Sequence, residues 1–261
     1  MSKIKQTILI TGGSSGIGLA IAKKFLDNNY EVVITGRNLS KLEKVKKELP
    51  SIHIKQSDVT DEAEVRMLAD DMLEKFNGID ILFNNAGIMN LVDAGNEQNQ
   101  LELQFYEIEI NFHAPIRMLH HFLPQLKKSK NGFVINTSSG LAYVPFAQAP
   151  VYSGTKAALH FWTMGIRPQL KPHGIRVVEL LPPVVDTPLA HGANVADDDN
   201  LKPMPPEKMA DIFWKDFIKG KAEITPGISK QLKLMSRLAP NFIFKQLNKQ
   251  AFPLATRTKS K

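Results

Sequence analysis

Short apolar runs rich in β-branched residues alternate with longer amphipathic stretches over the first two thirds of the chain. Ile8–Ile10, Glu31–Thr35, Ile52–Lys55, Ile79–Phe83, Phe133–Thr137 and Arg176–Leu181 predict strands. Most lack polar–apolar alternation, the pattern of parallel strands covered on both faces. Between them, Ile17–Asn28, Leu39–Leu49, Asp61–Phe76, Leu101–Lys128 and Val151–Lys171 predict helices. Thr60, with Glu62 and Glu64 behind it, supplies a cap and an acidic first turn for the third helix. Such alternation implies right-handed crossovers and an α/β fold, a Rossmann-type doubly wound parallel sheet in a single domain.

The pattern changes beyond Leu181. Pro182-Pro183 leads into a polar stretch, His191–Pro206, within a predicted substrate loop over about residues 188–206. The loop follows the carboxyl end of a strand, where sheets of this kind place ligands. A helix over Pro206–Gly220 and a short strand over Glu223–Thr225 complete a domain of residues 1–228, leaving 229–261 as a small helical extension. There, Leu232, Leu234, Met235 and Leu238 fall largely on one side of a helix, with Lys230, Lys233 and Arg237 nearby. Pro240 interrupts the pattern and Phe242–Phe244 with Leu247 resume it. This face packs on the domain or a second subunit, or else meets a membrane surface. The first reading is favoured, because amphipathic helices in soluble proteins usually serve a core.

A length of 261 residues, with 43% hydrophobic and 23% charged, suits one large α/β domain that needs no staple. Cysteine is absent, which excludes disulfides and thiolate chemistry. The opening apolar run, Thr7–Ile10, is too short for the core of a signal peptide, and no stretch suits a bilayer span, so a cytoplasmic protein is expected. The net charge of +7 is uneven: residues 219–261 carry ten Lys/Arg against one acid, Glu223, whereas 1–218 carry 23 bases against 25 acids. The body has no protein-wide basic footprint, so no nucleic-acid partner is expected, nor is a metal.

The chemistry gathers at strand ends. After the first strand, Thr11–Gly18 places glycines at 12, 16 and 18, with Ser14, Ser15 and Ile17 between them, just before a helix. Glycines there let the backbone approach a pyrophosphate at the positive end of the helix. After the second strand, Gly36 stands where an NAD enzyme places a carboxylate, and Arg37-Asn38 follows. A guanidinium can bind a 2′-phosphate that an acid would repel, so NADP(H) is the expected cofactor. Asp58-Val59 ends the third strand as a candidate adenine contact, and Asn85-Ala86-Gly87 follows the fourth beside the expected ribose. Tyr152 and Lys156, at i and i+4, share a helix face, and a nearby ammonium is expected to lower the phenol's pKa for acid–base work. Ser139, thirteen positions before Tyr152, is placed to bond a substrate oxygen, with Ser138 adjacent. Asn111 is an unfavourable residue for a helix interior, which points to a polar task or a local bend.

Thr11–Gly18, Asn84–Gly87, Asn111, Ser139 and Tyr152-x-x-x-Lys156 together resemble the short-chain dehydrogenases/reductases over essentially residues 5–230. Val151–His160 and Pro182–Thr187 look closest to the bacterial DltE-like oxidoreductases. The resemblance implies a seven-stranded sheet and a catalytic tetrad of Asn111, Ser139, Tyr152 and Lys156. It implies too that Lys156 binds the nicotinamide ribose, that Asn111 holds a water relaying protons to Lys156, and that Pro182, Val185 and Thr187 border the nicotinamide amide. A homo-oligomer, dimer or tetramer, is implied as well. Pro182-Pro183 departs from the family's Pro-Gly, and Pro168 is expected to kink the helix that forms the common interface. Leu141, Tyr143, Phe146, Val184 and Leu189 suggest a small carbonyl or alcohol substrate with an apolar body. The expectation is an NADPH-dependent carbonyl reductase or alcohol dehydrogenase. The alternative, an idle NADPH-binding sensor or scaffold, has no use for Tyr152 and Lys156 together.

Overall fold

The computed structural model describes residues 5–96, 98, 101–193 and 202–249. Seven strands form one parallel sheet: β1 Thr7–Thr11, β2 Glu31–Gly36, β3 His53–Gln56, β4 Ile81–Asn84, β5 Phe133–Thr137, β6 Arg176–Leu180 and β7 Glu223–Ile224. Their order is β3-β2-β1-β4-β5-β6-β7, so the direction of winding reverses between β1 and β4. Helices α1 Gly16–Asp27, α2 Leu39–Glu48, α3 Glu62–Phe76, α5 Ala114–Lys128, α6 Pro150–Leu170 and α8 Pro206–Ile218 cover the two faces. The single domain has the expected Rossmann-type architecture.

The continuous apolar strands are explained by two cores. Ile8, Ile10, Val32 and Ile34 face α1, α2 and α8 through Phe25, Leu42 and Phe213. Leu9, Val33, Leu82 and Val134 face the opposite way, onto Val65 and Met72 of α3 and Phe122 of α5. Successive side chains alternate between faces, but both faces are buried, so the period of two disappears from the sequence.

Three local expectations need correction. The cap of α3 is Asp61, which accepts from Glu64 N at 3.0 Å; Thr60 instead donates its N–H and hydroxyl to Asp58 at 2.9 and 2.8 Å. The predicted helix 101–128 is two helices, α4 Leu101–Ile108 and α5, joined by a π turn over Glu109–His113. Pro115 has no N–H to give the Asn111 carbonyl, and the ladder slips to i−5, with Ala114 N bonding Glu109 O. Pro168 lies in the last turn of α6, which runs on to Leu170 without a break.

Beyond β6, the short helix α7 Pro188–Gly192 begins the substrate loop, whose base is pinned by a parallel bridge between Val185 and Met204. Residues 194–201 of the polar stretch, with the acidic run Asp197–Asp199 of the sequence, lie outside the described residues. The extension forms α9 Ser229–Leu238 and α10 Pro240–Leu247. Leu232 is buried against the domain, while Leu234, Leu238 and Phe242 stay exposed, so the packed stripe is narrower than predicted. Among the described residues no helix is long and apolar enough to cross a membrane.

Candidate active site

The reversal between β1 and β4 leaves a crevice at their carboxyl ends, as the topology requires. Gly12 and Gly16 turn the chain there at φ +64° and +54°, a region that favours glycine. A Cβ on Gly12 would lie 2.9 Å from Ala86 Cα, and one on Gly16 would lie 2.9 Å from Thr187 Cγ2. The turn therefore nests between the end of β4 and the loop after β6. Asn85 braces it, donating through Nδ2 to Thr11 O and Gly12 O at 3.1 and 3.2 Å. Ser15 occupies the N-cap of α1 yet makes no side-chain capping bond. The first N–H groups of α1 are thus left for an anion, with the helix dipole behind them. These features fit the pyrophosphate of a dinucleotide.

Tyr152 and Lys156 project from the first two turns of α6, only 8% and 3% exposed. The ammonium lies 5.5 Å from the Tyr152 ring centre and donates to Thr137 O at 2.9 Å, which uses one of its three protons. Asn111, turned inward by the π turn, accepts from Ile88 N at 3.0 Å and donates to Ile88 O at 2.9 Å and Thr155 Oγ1 at 3.2 Å. A Cβ on Gly87 would crowd its Oδ1 at 3.2 Å and touch the Lys156 ammonium at 3.5 Å. The two adjacent serines have different roles. Ser138 donates to buried Glu179 at 2.6 Å, whereas Ser139 caps the short turn Gly140–Ala142 and bonds Tyr152.

The electrostatics correct one expectation. Burial pushes the Tyr152 phenol up to about 12; the Ser139 hydrogen bond pulls it down, and the buried carboxylate of Glu107 adds to the rise. Burial draws Lys156 down to about 8, against the pull of Glu107 and Glu179. Loss of hydration outweighs the expected influence of the ammonium on the phenol, and the opposing pull comes from Ser139.

One cavity of about 1330 Å³ collects Gly12, Ser14, Ser15, Gly16, Ile17, Asn85, Ala86, Gly87, Ser139, Tyr152, Lys156, Pro182, Val185 and Thr187. Arg37 and Asp58 instead line a second depression of about 560 Å³. There the Arg37 guanidinium, half exposed, sits 4.0 Å from Asp58 Oδ2 and donates to the hydroxyl of Tyr106. Gly18, Asn38, Val59 and Asn111 line neither space. Asn38 caps α2 by accepting from Lys41 N at 3.0 Å, and Val59 belongs to the core. Leu141, Phe146, Val184 and Leu189 line the main cavity, but Tyr143 turns away to donate to Glu223.

A family model described as short chain dehydrogenase matches residues 6–198. The chain belongs to the short-chain dehydrogenase family. It is 36% identical over 250 residues to the uncharacterized oxidoreductase DltE of Bacillus subtilis (strain 168), covering 96% of this chain and 99% of that one. A short chain dehydrogenase from Burkholderia cenocepacia J2315, solved in complex with NADP, superposes with a TM-score of 0.80 over 94% of this chain and 98% of its own, at 24% identity. Another, from Burkholderia phymatum in complex with NAD, gives 0.79 over 91% and 95%, at 20% identity. Membership of the short-chain dehydrogenase family makes the protein an oxidoreductase that uses a nicotinamide cofactor on a small molecule.

Two parts of this dehydrogenase's site escaped the sequence. Buried Glu179 accepts from Ser138 and pairs with His160 at 2.9 Å, while Glu223 binds Tyr143 and Lys233 of α9. Ligand atoms of His160, Glu179 and Glu223 lie within 4.8 Å of one another, but these partners already engage them. The extension is the second part. Ile228, Leu232, Ile243 and Leu247 wall the main cavity, and a Cβ on Gly140 would lie 2.7 Å from Ser229 Oγ, so α9 seats directly on the turn after Ser139. The only trace in the sequence was the amphipathic pattern, which says that a helix packs but not against what.

Proposed function

We propose that the protein is an NADPH-dependent carbonyl reductase, working in reverse as an alcohol dehydrogenase, with Tyr152 as its general acid and base. The observation that carries this reading is that buried Tyr152, bonded by Ser139 and paired with Lys156, opens onto the same cavity as the glycine turn. Bound NADPH supplies the hydride to the carbonyl carbon. Tyr152 gives its phenolic proton to the oxygen of that carbonyl. Ser139 holds the oxygen in place; its Oγ accepts from Leu141 N at 3.1 Å, and the one hydrogen that it otherwise gives to Tyr152 turns to the substrate oxygen. Lys156 has two protons left after its bond to Thr137, enough for the ribose hydroxyls. Asn111 keeps the Ile88 backbone and the neighbourhood of Lys156 in register, beside the water path by which Lys156 regains a proton.

The NADP(H) preference rests on Gly36 and Arg37. A 2′-phosphate offers the Arg37 guanidinium a doubly charged partner in place of the more distant Asp58 carboxylate. Homo-oligomerisation is supported by exposed apolar residues on α4 and α6: Phe105 is largely exposed, Met164 is nearly half exposed and Phe161 is 70% exposed. The functional reading is tested by mixing the protein with NADPH or NADH and a panel of aliphatic and aromatic ketones, aldehydes and quinones. Carbonyl-dependent oxidation of NADPH is expected. Tight NADPH binding with no turnover on any carbonyl would instead favour the idle sensor.

A further inference from the structure

The main cavity is larger than the roughly 300–1,000 Å³ of an ordinary small-molecule site, and its halves differ in character. The inner half holds the glycine turn, Ser139, Tyr152 and Lys156. The outer half is walled by Leu189, Leu232, Ile243 and Leu247 from the substrate loop and the extension, and by Leu91 from the segment after β4. Among the described residues no Asp or Glu lines any part of it, and the charged side chains that do are Lys156 and Lys249. Lys156 is committed to the reacting end.

Lys249, an exposed residue, lines the cavity just beyond a clasped neighbour. Its neighbour Asn248 is 1% exposed, accepts from Ala147 N at 2.7 Å and donates to Pro145 O at 3.1 Å and Phe244 O at 2.9 Å. That clasp ties the end of α10 to the loop carrying Phe146, itself a cavity residue just before α6. The Lys249 ammonium pairs with no acid among the described residues. Among the described residues the cavity thus carries positive charge and no acid, and a cation set among apolar walls attracts anions and repels cations, because low-dielectric walls concentrate its field.

We infer that the physiological substrate is an amphipathic carbonyl compound whose apolar body ends in a carboxylate, and that Lys249 binds that carboxylate. The inference rests on the carbonyl-reductase reading of the same site. The carbonyl lies at Tyr152 and Ser139, the apolar body runs along the α9–α10 wall, and the anionic end emerges at Lys249. A free amine or other cationic end is disfavoured by the same charge.

The full-length protein is titrated calorimetrically with octanoate and with 1-octanol, which differ at one end. Octanoate is expected to bind about three- to fivefold more tightly, the range of a partly exposed ion pair. Lys249→Met should erase this preference and Lys249→Glu should reverse it. A preference that survives Lys249→Met, or its absence in the wild type, overturns the inference. A matched kinetic pair, 9-oxodecanoate and 2-decanone, separates the two levels of argument. If both ketones are reduced with equal kcat/KM, the reductase reading stands and the carboxylate inference fails. If octanoate binding depends on Lys249 but neither ketone oxidises NADPH, the charge inference holds and the reductase reading fails.

Discussion

Lys156 donates a hydrogen bond to the Thr137 carbonyl at 2.9 Å from a site that burial makes costly for an ammonium. Its pKa falls from 10.5 to about 8, so between those values the unfolded chain holds a proton that the folded chain has released. Stability from this group therefore rises with pH across that window, by about 3 kcal/mol in all. Above about pH 10 the raised pKa of Tyr152 acts in the opposite sense. Lys156→Met should stabilise the cofactor-free protein most at about pH 7 and progressively less towards pH 10. Urea unfolding at several pH values checks this; a stability difference that does not change with pH would contradict it.

Ser139 is the group that draws the Tyr152 phenol downward. In the alcohol-oxidising direction the rate should climb with pH as Tyr152 loses its proton. Ser139→Ala should shift that climb to higher pH as well as slow it. Ser138→Ala should leave the profile in place, because Ser138 bonds Glu179 and not the phenol. Equal displacement of both profiles would remove Ser139 from its role.

Arg37→Ala should weaken NADPH far more than NADH. A lost charge-assisted bond to phosphate costs roughly 1.5–3 kcal/mol, about ten- to a hundredfold in Kd. Fluorescence titration with both cofactors reads this directly. Equal losses would make Arg37 a structural partner of Tyr106 and Asp58 only.

Asn248→Ala should leave the Ala147 N–H without its partner and unclasp α10 from the loop before α6. An unmatched donor costs about 1–3 kcal/mol when buried, and Ala147 N, half-buried, sits at the lower end of that range. Thermal melts should show that loss, and substrate KM should rise more than kcat falls, since the wall of the cavity loosens. An unchanged Tm would show that the clasp contributes nothing.

The sheet and the glycine turn were legible because their signals are local: apolar runs, helix periods, and glycines clustered between a strand and a helix. Tyr152 and Lys156 were legible because i,i+4 spacing on a helix dictates a shared face. Asn111 was noticed as an oddity, but the π turn that aims it depends on Pro115, four residues on, whose missing N–H matters only once a helix is in place. Thr60 and Asp61 are both good caps, and the choice fell to Asp61 because Asp58 captures Thr60. The direction of the Tyr152 shift was misread because the ammonium is written in the sequence and the depth of burial is not. The wall built by Leu232, Ile243 and Leu247 was hidden for a related reason: a helical stripe announces packing, and only the tertiary structure names the surface packed against.

Tyr152 is the proposed proton-transfer group, and Tyr152→Phe tests that role most directly. The substitution removes a hydroxyl and leaves the ring, the Lys156 bond to Thr137 and the glycine turn in place. NADPH-dependent turnover of the best carbonyl substrate and the Kd for NADPH are measured on the same preparation. Turnover should fall by about two to four orders of magnitude, the usual worth of a positioned acid–base group, with Kd changed less than about threefold. Turnover close to that of the wild type would contradict the account.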